Sequence, residues 1–320
     1  MNISNPAMFQ GKNRKAGYFE GWYFKNVSAG QDDVLSVIPG ISLDRKDPHA
    51  FVQVINGMTG ETRYFRFDIA DFDWNRERFE VCVGKNEFSL ARMKLDLAED
   101  GFAVSGTLEF LDPVPYPSSL LSPGIMGWFS YVPFMECNHG VVSANHRIDG
   151  TLSVNGRAID FSQGRGYIEK DWGKSFPSSW LWLQCNNFRA DPCTLFVSVA
   201  KIPWLGHYFM GLIAFVYVGG KYHLFATYNG SKIENISFAD RMLRIELSNR
   251  KYRLSIHALQ GEGGHLKAPV SGTMSRMIKE SVNSTVSFTL SDADGNTIHA
   301  DEGRSAGLEI MEKIFSYFQD

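Results

Sequence analysis

The stretch Gly164–Phe188, with the sequence GRGYIEKDWGKSFPSSWLWLQCNNF, contains two runs in which unlike side chains alternate. In an extended strand, alternate side chains point to opposite faces of the sheet. One face of the first run carries Arg165, Tyr167, Glu169 and Asp171. One face of the second run carries Trp180, Trp182, Gln184 and Asn186. The stretch therefore predicts two β-strands, each with a face rich in polar or aromatic groups.

The same alternation recurs in short runs along the rest of the chain, beginning with residues 18–25. Dipeptides typical of hairpin turns separate these runs, and Asn155-Gly156 is the strongest of them. Evenly spaced short strands with such turns are typical of β-barrels and β-sandwiches. Helical periodicity is found only in residues 308–318. The sequence therefore predicts an all-β fold with a short C-terminal helix.

The length of 320 residues favours two domains. A weak internal echo supports this division, because Gly17-Tyr-Phe-Glu20 resembles Gly166-Tyr-Ile-Glu169 about 150 residues later. We predict two β-barrel or β-sandwich halves, an N-terminal β-domain at residues 1–162 and a C-terminal β-domain at residues 163–320.

One segment, residues 111–133, interrupts the pattern of strands. It contains five prolines, which exclude a central strand, and its apolar content argues against disorder. We expect it to expose an apolar group made of Leu120, Leu121, Ile125, Met126, Trp128 and Phe129. Two interpretations remain open: a lid over a ligand mouth that contacts membrane, or a loop packed on the outside of a barrel.

Composition narrows the class of protein. The net charge is −3 and no basic tract is present, so we expect no nucleic-acid partner. The four cysteines form no paired framework, which suits a reducing compartment. The first residues contain no apolar leader, and the most apolar run, 205–218, is shorter than the roughly 20 residues of a membrane span. We therefore expect a cytoplasmic protein, with peripheral membrane contact at most. Nothing in the sequence indicates an oligomeric state.

Several common catalytic motifs are missing from the sequence, which contains no P-loop, no dinucleotide-binding glycine motif and no HExxH. Cys137 and His139 would share a face of a strand, but no third and fourth metal ligands follow at motif spacing. We predict neither a metal nor another cofactor. What remains is cofactor-free chemistry, or binding, in an aromatic cavity.

Two interpretations of the polar groups remain open on residue types alone. Glu169 and Asp171 lie two residues apart on one face, so one of them can hold a proton more tightly than usual. Alternatively, Arg165 pairs with one of these carboxylates as a rim salt bridge. The indoles allow the same choice, because their rings can stabilise a carbocation or can simply pack a core.

Three segments of the chain resemble the tocopherol cyclase family. They are GYFEGWYFK at residues 17–25, GYIEKDWGKSFPSSWLWLQCNNF at residues 166–188 and LKAP at residues 266–269. The central match is long and specific, and the strands between the segments are more divergent. The resemblance implies a lipocalin-like all-β architecture, shared distantly with carotenoid 1,2-hydratases.

The resemblance also implies a reaction, the closure of a prenylated hydroquinol to a chromanol. An acid protonates a trisubstituted alkene, and the phenol oxygen traps the resulting tertiary cation. Glu169 or Asp171 would be the acid, beside Tyr167, and Glu20 with Tyr18 or Tyr23 is the alternative acid–base pair. The residues expected to bind the substrate are Trp22, Tyr23, Arg165, Trp172, Trp180, Trp182, Gln184 and Asn186.

Two rival functions remain open beside the cyclase. The first is a barrel that binds an isoprenoid or lipid without turnover. The second is an isoprenoid hydratase, in which water instead of the phenol traps the cation. All three functions take a lipophilic small molecule, and fold analogy does not choose between them.

Overall fold

The computed structural model describes residues 5–14, 16–133, 135–204 and 206–318, so Leu205 of the apolar run lies outside the described residues. Strands dominate the described part of the chain and form two antiparallel sheets, which confirms the all-β prediction. The strands are β1 Tyr18–Val27, β2 Val34–Leu43, β3 His49–Asn56, β4 Thr62–Asp68, β5 Phe72–Trp74, β6 Glu80–Val83, β7 Asn86–Ser89, β8 Arg92–Glu99, β9 Phe102–Leu111, β10 Cys137–Val154, β11 Arg157–Asp160, β12 Gly164–Gly173, β13 Trp180–Cys185, β14 Cys193–Trp204, β15 His207–Val218, β16 Lys221–Ala226, β17 Lys232–Ala239, β18 Met242–Ser248, β19 Tyr252–Leu259, β20 Gly263–Val270, β21 Thr273–Asp292 and β22 Thr297–Ile310.

The helical segments of the described chain are short 3₁₀ turns: Gly11–Asn13, Ile69–Asp71, Gly127–Tyr131, Thr227–Asn229 and Glu312–Tyr317. The predicted C-terminal helix is therefore shorter than expected. Residues 308–310 complete β22, and only Glu312–Tyr317 is helical. Residues 308–310 pair with β13, and that pairing overrides the weak helical periodicity.

The first sheet has twelve strands in the order β4-β3-β2-β1-β12-β10-β9-β8-β7-β6-β5, with β11 paired to β10. Its apolar core contains the alternate side chains of these strands, among them Trp22, Phe24, Phe88, Leu108 and Ile168. This sheet belongs to a compact unit made of residues 1–176 and 265–277. Within that unit, the Gln53 side chain donates to Lys267 O and accepts from Lys267 N, and these bonds hold the LKAP segment.

The second sheet has ten strands in the order β16-β15-β14-β13-β22-β21-β19-β18-β17, with β20 paired to β21. Its core is a separate apolar cluster that includes Leu181, Leu183, Val197, Phe225 and Leu308. The second compact unit contains residues 177–264 and 278–320.

These units differ from the predicted domains. The first division falls after Phe176 and not at residue 162, because β12 pairs with β1 and β10 of the first sheet. The central family-like segment is consequently shared, with β12 in the first unit and β13 in the second. The two segments of the internal echo do not lie in different units, since β1 and β12 are neighbours in the first sheet.

Candidate active site

β1 and β12 run antiparallel, with Trp22 opposite Lys170 and Tyr23 opposite Glu169. Because side chains alternate along each strand, the first pair projects to one face of the sheet and the second pair to the other. The two faces have different chemistry.

A fully buried ion pair joins Glu20 to Lys170 on the core face of β1 and β12. Lys170 Nζ lies 2.5 Å from Glu20 Oε1, and neither side chain is exposed. The same Nζ lies 4.7 Å from the ring centroid of Trp22 and 4.8 Å from that of Trp172. Burial lowers the pKa of Lys170 to about 8, and the charge of Glu20 limits the fall. Two tryptophans predicted to bind substrate thus enclose a lysine.

The Glu20 carboxylate has further donors besides Lys170. The Tyr18 hydroxyl donates to Oε2 at 2.6 Å, and the backbone amides of Gln10 and Gly11 donate at 2.8 and 2.9 Å. Both oxygens of Glu20 are thus already bound by groups of the protein itself. This geometry suits a structural anion better than an acid. Glu20 as the acid stays a prediction that its surroundings do not favour.

The N-terminal segment packs against this core face. The indole nitrogen of Trp22 donates to Ala7 O at 2.8 Å, and Lys170 Nζ donates to Met8 O. Both Ala7 and Met8 are buried within the core of the first unit. The polar atoms of Trp22 and Lys170 therefore bind the chain itself.

The other face of β12 carries a connected group of acidic and basic side chains. His139 on β10 is directly opposite Asp171 in the register, and its Nδ1 lies 2.9 Å from Asp171 Oδ1. Its Nε2 lies 3.6 Å from Glu169 Oε2. The Tyr167 hydroxyl donates to the same oxygen of Glu169 at 2.6 Å. We name Tyr167, Glu169, His139 and Asp171 the acid cluster.

Burial and charge set the protonation of the acid cluster. Although burial lowers the pKa of His139, the charges of Asp171 and Glu169 outweigh that effect and raise it to about 9. At neutral pH this imidazole is therefore a cation between two carboxylates. Burial, and then Glu169, raise the pKa of Tyr167, so its hydroxyl keeps its proton. Burial and Asp171 likewise raise the pKa of the Cys137 thiol, which argues against a nucleophilic cysteine here.

The raised pKa of His139 makes a prediction about stability. The folded pKa of about 9 exceeds the ordinary value of 6.5, so the protonated form stabilises the fold. This contribution, about 3 kcal/mol at most, is complete below the ordinary pKa and is lost as pH rises through the folded pKa. We expect the urea-derived free energy of unfolding to fall over this window in the wild type and to fall less in His139→Gln.

Comparing the wild type with His139→Gln separates the pH-dependent stabilisation by His139 from that by Lys170. The lowered pKa of Lys170 acts in the opposite direction above about pH 8. An identical pH dependence in the two proteins would contradict the imidazolium assignment.

The acid cluster combines predicted and unpredicted residues. The shared face of Tyr167, Glu169 and Asp171 is confirmed by their common contacts on β12. The sequence suggests a role for His139 only as a metal ligand with Cys137, whereas the structure pairs it with carboxylates. The two-residue spacing of Cys137 and His139 predicts that they share a face, and the register of β10 with β12 brings both beside Asp171.

Two other predicted residues of the first unit lie near this face. The Tyr23 hydroxyl shares a hydrogen bond of 2.9 Å with Ser36 Oγ, and Tyr23 is buried. Arg165 is half-buried and donates to Gly164 O at 3.3 Å. Burial, and then the charge of Arg165, lower the pKa of His146 to about 3, so His146 stays neutral.

The predicted residues of β13 lie in the second unit. Leu181 and Leu183 belong to its apolar core, while the alternate residues Trp180 and Trp182 are buried on the opposite face, as the spacing predicts. Trp180 Nε1 donates to Glu309 Oε2 at 2.7 Å. On the same side of the strand, Gln184 and Asn186 are buried, and the Gln184 amide donates to Asn186 Oδ1 at 3.2 Å. Their roles in binding stay predictions.

The proline-rich segment contacts the strand that carries His139. The Val114 amide donates to Asn145 O, and the Ala144 amide donates to Val114 O, both at 2.8 Å. The His139 amide donates to Met126 Sδ at 3.1 Å. The segment thus packs beside the acid cluster.

The exposure of the proline-rich segment differs from the prediction in part. Leu120 and Leu121 are 83% and 87% exposed, and Trp128 is half-exposed. Ile125 and Met126, which were expected on the surface, are instead buried. They are buried because the turn at 123–127 folds back against β10, where Met126 meets His139.

His139, Glu169 and Asp171 have the donor types of a metal site, and their ligand atoms lie within 4.8 Å of one another. A protonated His139 cannot donate a lone pair to a metal, and its positive charge already balances the carboxylates. Without an ion, these three residues therefore form an acid–base group at neutral pH.

The fold and the family-like segments define an all-β protein of the tocopherol cyclase-like group. The model of that family, described as tocopherol cyclase-like, matches residues 116–311. This range covers more than half of the chain and includes β10, β12 and β13. The protein therefore belongs to the tocopherol cyclase-like family.

One relative and two solved structures illustrate these similarities. The chloroplastic tocopherol cyclase of Zea mays is 26% identical over 148 residues, which cover 45% of this chain and 31% of that protein. The match thus spans about a third of that relative's length. CghA has a TM-score of 0.57 at 11% identity, with 92% of this chain and 88% of CghA covered. Kievitone hydratase from Nectria haematococca has a TM-score of 0.52 at 11% identity, with 95% and 93% covered. The structural similarities support the lipocalin-like fold class.

Proposed function

We propose that this protein closes a prenylated hydroquinol, or a related isoprenoid phenol, to a chromanol. Membership of the tocopherol cyclase-like family supports this reaction class. The observation that carries the proposal is the acid cluster, in which Glu169 lies between the Tyr167 hydroxyl at 2.6 Å and His139 Nε2 at 3.6 Å. The reaction is an intramolecular addition, an isomerisation, so it needs a proton donor and a proton acceptor and no redox partner.

Glu169 is the group that we assign to protonation of the alkene. Its side chain is only 6% exposed, whereas that of Asp171 is 25% exposed. An apolar substrate beside Glu169 removes remaining water and disfavours the charged carboxylate. The proton then moves from His139 Nε2 to Glu169, and from Glu169 to the less substituted alkene carbon. A new C–H bond forms, the π-bond breaks, and a tertiary cation remains.

The second half of the reaction restores the starting protonation state. The Glu169 and Asp171 carboxylates stabilise the cation electrostatically in a site with little water. The phenol oxygen attacks the cation, and the new C–O bond closes the ring. The phenol proton passes to the neutral His139, which Asp171 orients through the 2.9 Å bond to Nδ1. The numbers of protons taken up and released are equal, so the enzyme is ready for another cycle.

Anaerobic incubation with a phytylated benzoquinol in detergent tests this proposal against its two rivals. Mass spectrometry of the products separates the outcomes. A chromanol of unchanged mass supports cyclisation. A product that has gained one water would replace cyclisation by hydration, and unchanged substrate that binds tightly would contradict both enzymatic functions for this ligand.

We further propose that the proline-rich segment contacts a membrane surface that holds the substrate. Its two most exposed leucines, Leu120 and Leu121, motivate this proposal. No helix among the described residues is long and apolar enough to cross a membrane. Exposed apolar side chains such as these two leucines are what peripheral contact with a membrane uses.

Replacing Leu120 and Leu121 by Ser tests the membrane contact. We expect weaker co-sedimentation with phospholipid vesicles and slower turnover of a vesicle-embedded substrate, with little change for a short-chain soluble one. Replacing Trp128 and Phe129, which are partly exposed, by Ser should also weaken vesicle binding and slow turnover of the vesicle-embedded substrate. Ile298→Ser, at an apolar residue 43% exposed in the second unit, is the matched control. Equal losses on both substrates would indicate that the leucines only support packing.

A further inference from the structure

A second group of metal-ligating side chains lies in the second unit, on β14 and β22. Cys193 begins β14, and His299 and Asp301 lie two residues apart on one face of β22. Their Sγ, nitrogen and carboxylate oxygen atoms all lie within 4.8 Å of one another. The three family-like segments do not contain these residues, and the proposed reaction does not use them. We name them the Cys-His-Asp triad.

Asp301 is held in position by the backbone. The Ala190 amide donates to Oδ2 at 2.8 Å, and the Glu302 and Arg189 amides donate to Oδ1 at 2.8 and 3.4 Å. The carboxylate side chain is only 4% exposed. Such outer hydrogen bonds are the usual way in which a protein orients a carboxylate ligand. Asp301 is therefore fixed before any ion arrives.

His299 supplies the second, independent observation. Its Nε2 is buried and has no hydrogen-bond partner among the described residues. The atom lies 3.5 Å from Asp301 Oδ2, and the imidazole ring packs near Phe288 with centroids 5.8 Å apart. At 3.5 Å the contact with Asp301 is too long for a good hydrogen bond, so this buried nitrogen is poorly satisfied. A metal ion bound to Nε2 would satisfy it.

The spacing of the triad suits a tetrahedral ion. Bonds of about 2.0–2.2 Å from Zn²⁺ to nitrogen and oxygen place these two ligands roughly 3.4 Å apart at the tetrahedral angle. The observed separation of His299 Nε2 and Asp301 Oδ2 is 3.5 Å. A thiolate at about 2.3 Å from the ion completes a set of three donors and leaves one position for water.

We propose that Cys193, His299 and Asp301 bind one divalent transition-metal ion, with Zn²⁺ as the preferred ion. Sulfur and imidazole nitrogen select a borderline-soft ion over Mg²⁺ or Ca²⁺. On binding, the S–H bond of Cys193 breaks, its proton passes to solvent, and a metal–sulfur bond forms. The ion would join the start of β14 to β22 and stabilise the second unit, independently of the acid cluster.

Cobalt substitution in the full-length protein tests the triad. Metal-free protein is titrated with Co²⁺, and we expect one equivalent to give a thiolate-to-cobalt charge-transfer band together with the visible bands of a tetrahedral ion. Zn²⁺ should displace the cobalt and raise the urea midpoint of unfolding. Cys193→Ser should lose the charge-transfer band, and His299→Gln should weaken binding at least about tenfold.

Cys137→Ser is the matched control, because Cys137 also lies beside a histidine and an aspartate, His139 and Asp171. It should keep the band. A band that persists in Cys193→Ser, or its absence from the wild type, would overturn the proposal. Should Cys193→Ser fail to fold, His299→Gln decides the question, because its side chain is 25% exposed and the substitution is mild.

Discussion

Glu169→Gln is expected to lower the turnover of a prenylated hydroquinol by about 10²–10⁴-fold, the usual contribution of a general acid. The amide keeps the size of the side chain and can still accept the Tyr167 hydroxyl, but it cannot deliver a proton. Circular dichroism and urea unfolding should show a folded protein, since one hydrogen-bonded polar group replaces another. Glu246→Gln is the matched control, because Ser255 Oγ donates to Glu246 at 2.6 Å as Tyr167 does to Glu169.

Asp171→Asn should also reduce turnover, but through His139. Without the Asp171 charge the pKa of His139 falls, so the proton donor is neutral over more of the pH range. We therefore expect the rate profile of this variant to shift to lower pH, a change that a merely structural role would not produce. Full rates in both Glu169→Gln and Asp171→Asn would refute the assignment of the acid.

Glu20→Gln is expected to destabilise the protein by about 3–5 kcal/mol, because it leaves Lys170 buried without its counterion. Lys170→Met should have a cost of the same order, since Glu20 then stays buried without a cation. The double variant should recover part of the loss, because it removes both charges. Urea unfolding at neutral pH measures all three.

The exposed pair Arg189–Glu302 provides the control for this series. Its side chains are 77% and 68% exposed, so Glu302→Gln should change stability little. The same series tests the alternative acid. If Glu20→Gln kept the wild-type stability and lost turnover, Glu20 would be the acid and the assignment of Glu169 would be wrong.

Much of the fold could be predicted because side-chain alternation and turn dipeptides are local signals. The predicted run at residues 18–25 begins where β1 begins and lies wholly within Tyr18–Val27. The first part of β10, at 137–150, shows no apolar alternation, because its buried residues include Ser143, Asn145 and His146. Polar residues that are buried do not give the apolar period on which the prediction depended.

The candidate site shows the same limit. The shared face of Tyr167, Glu169 and Asp171 follows from their spacing within one strand. The partner His139 could not be predicted, since it requires the register between β10 and β12. The ion pair of Glu20 with Lys170 depends likewise on the pairing of β1 with β12, two segments far apart in the chain.

Incorporation of solvent deuterium tests the central claim, alkene protonation by the acid cluster, most directly. The reaction is run anaerobically in D₂O with a phytylated benzoquinol, and the product is returned to H₂O before mass spectrometry so that O–D groups exchange back. The proposed mechanism predicts a chromanol with one deuterium, on the carbon adjacent to the one that bonds to the ring oxygen. Glu169→Gln should form this product far more slowly. A chromanol without carbon-bound deuterium would contradict it, as would the same rate of incorporation in the variant.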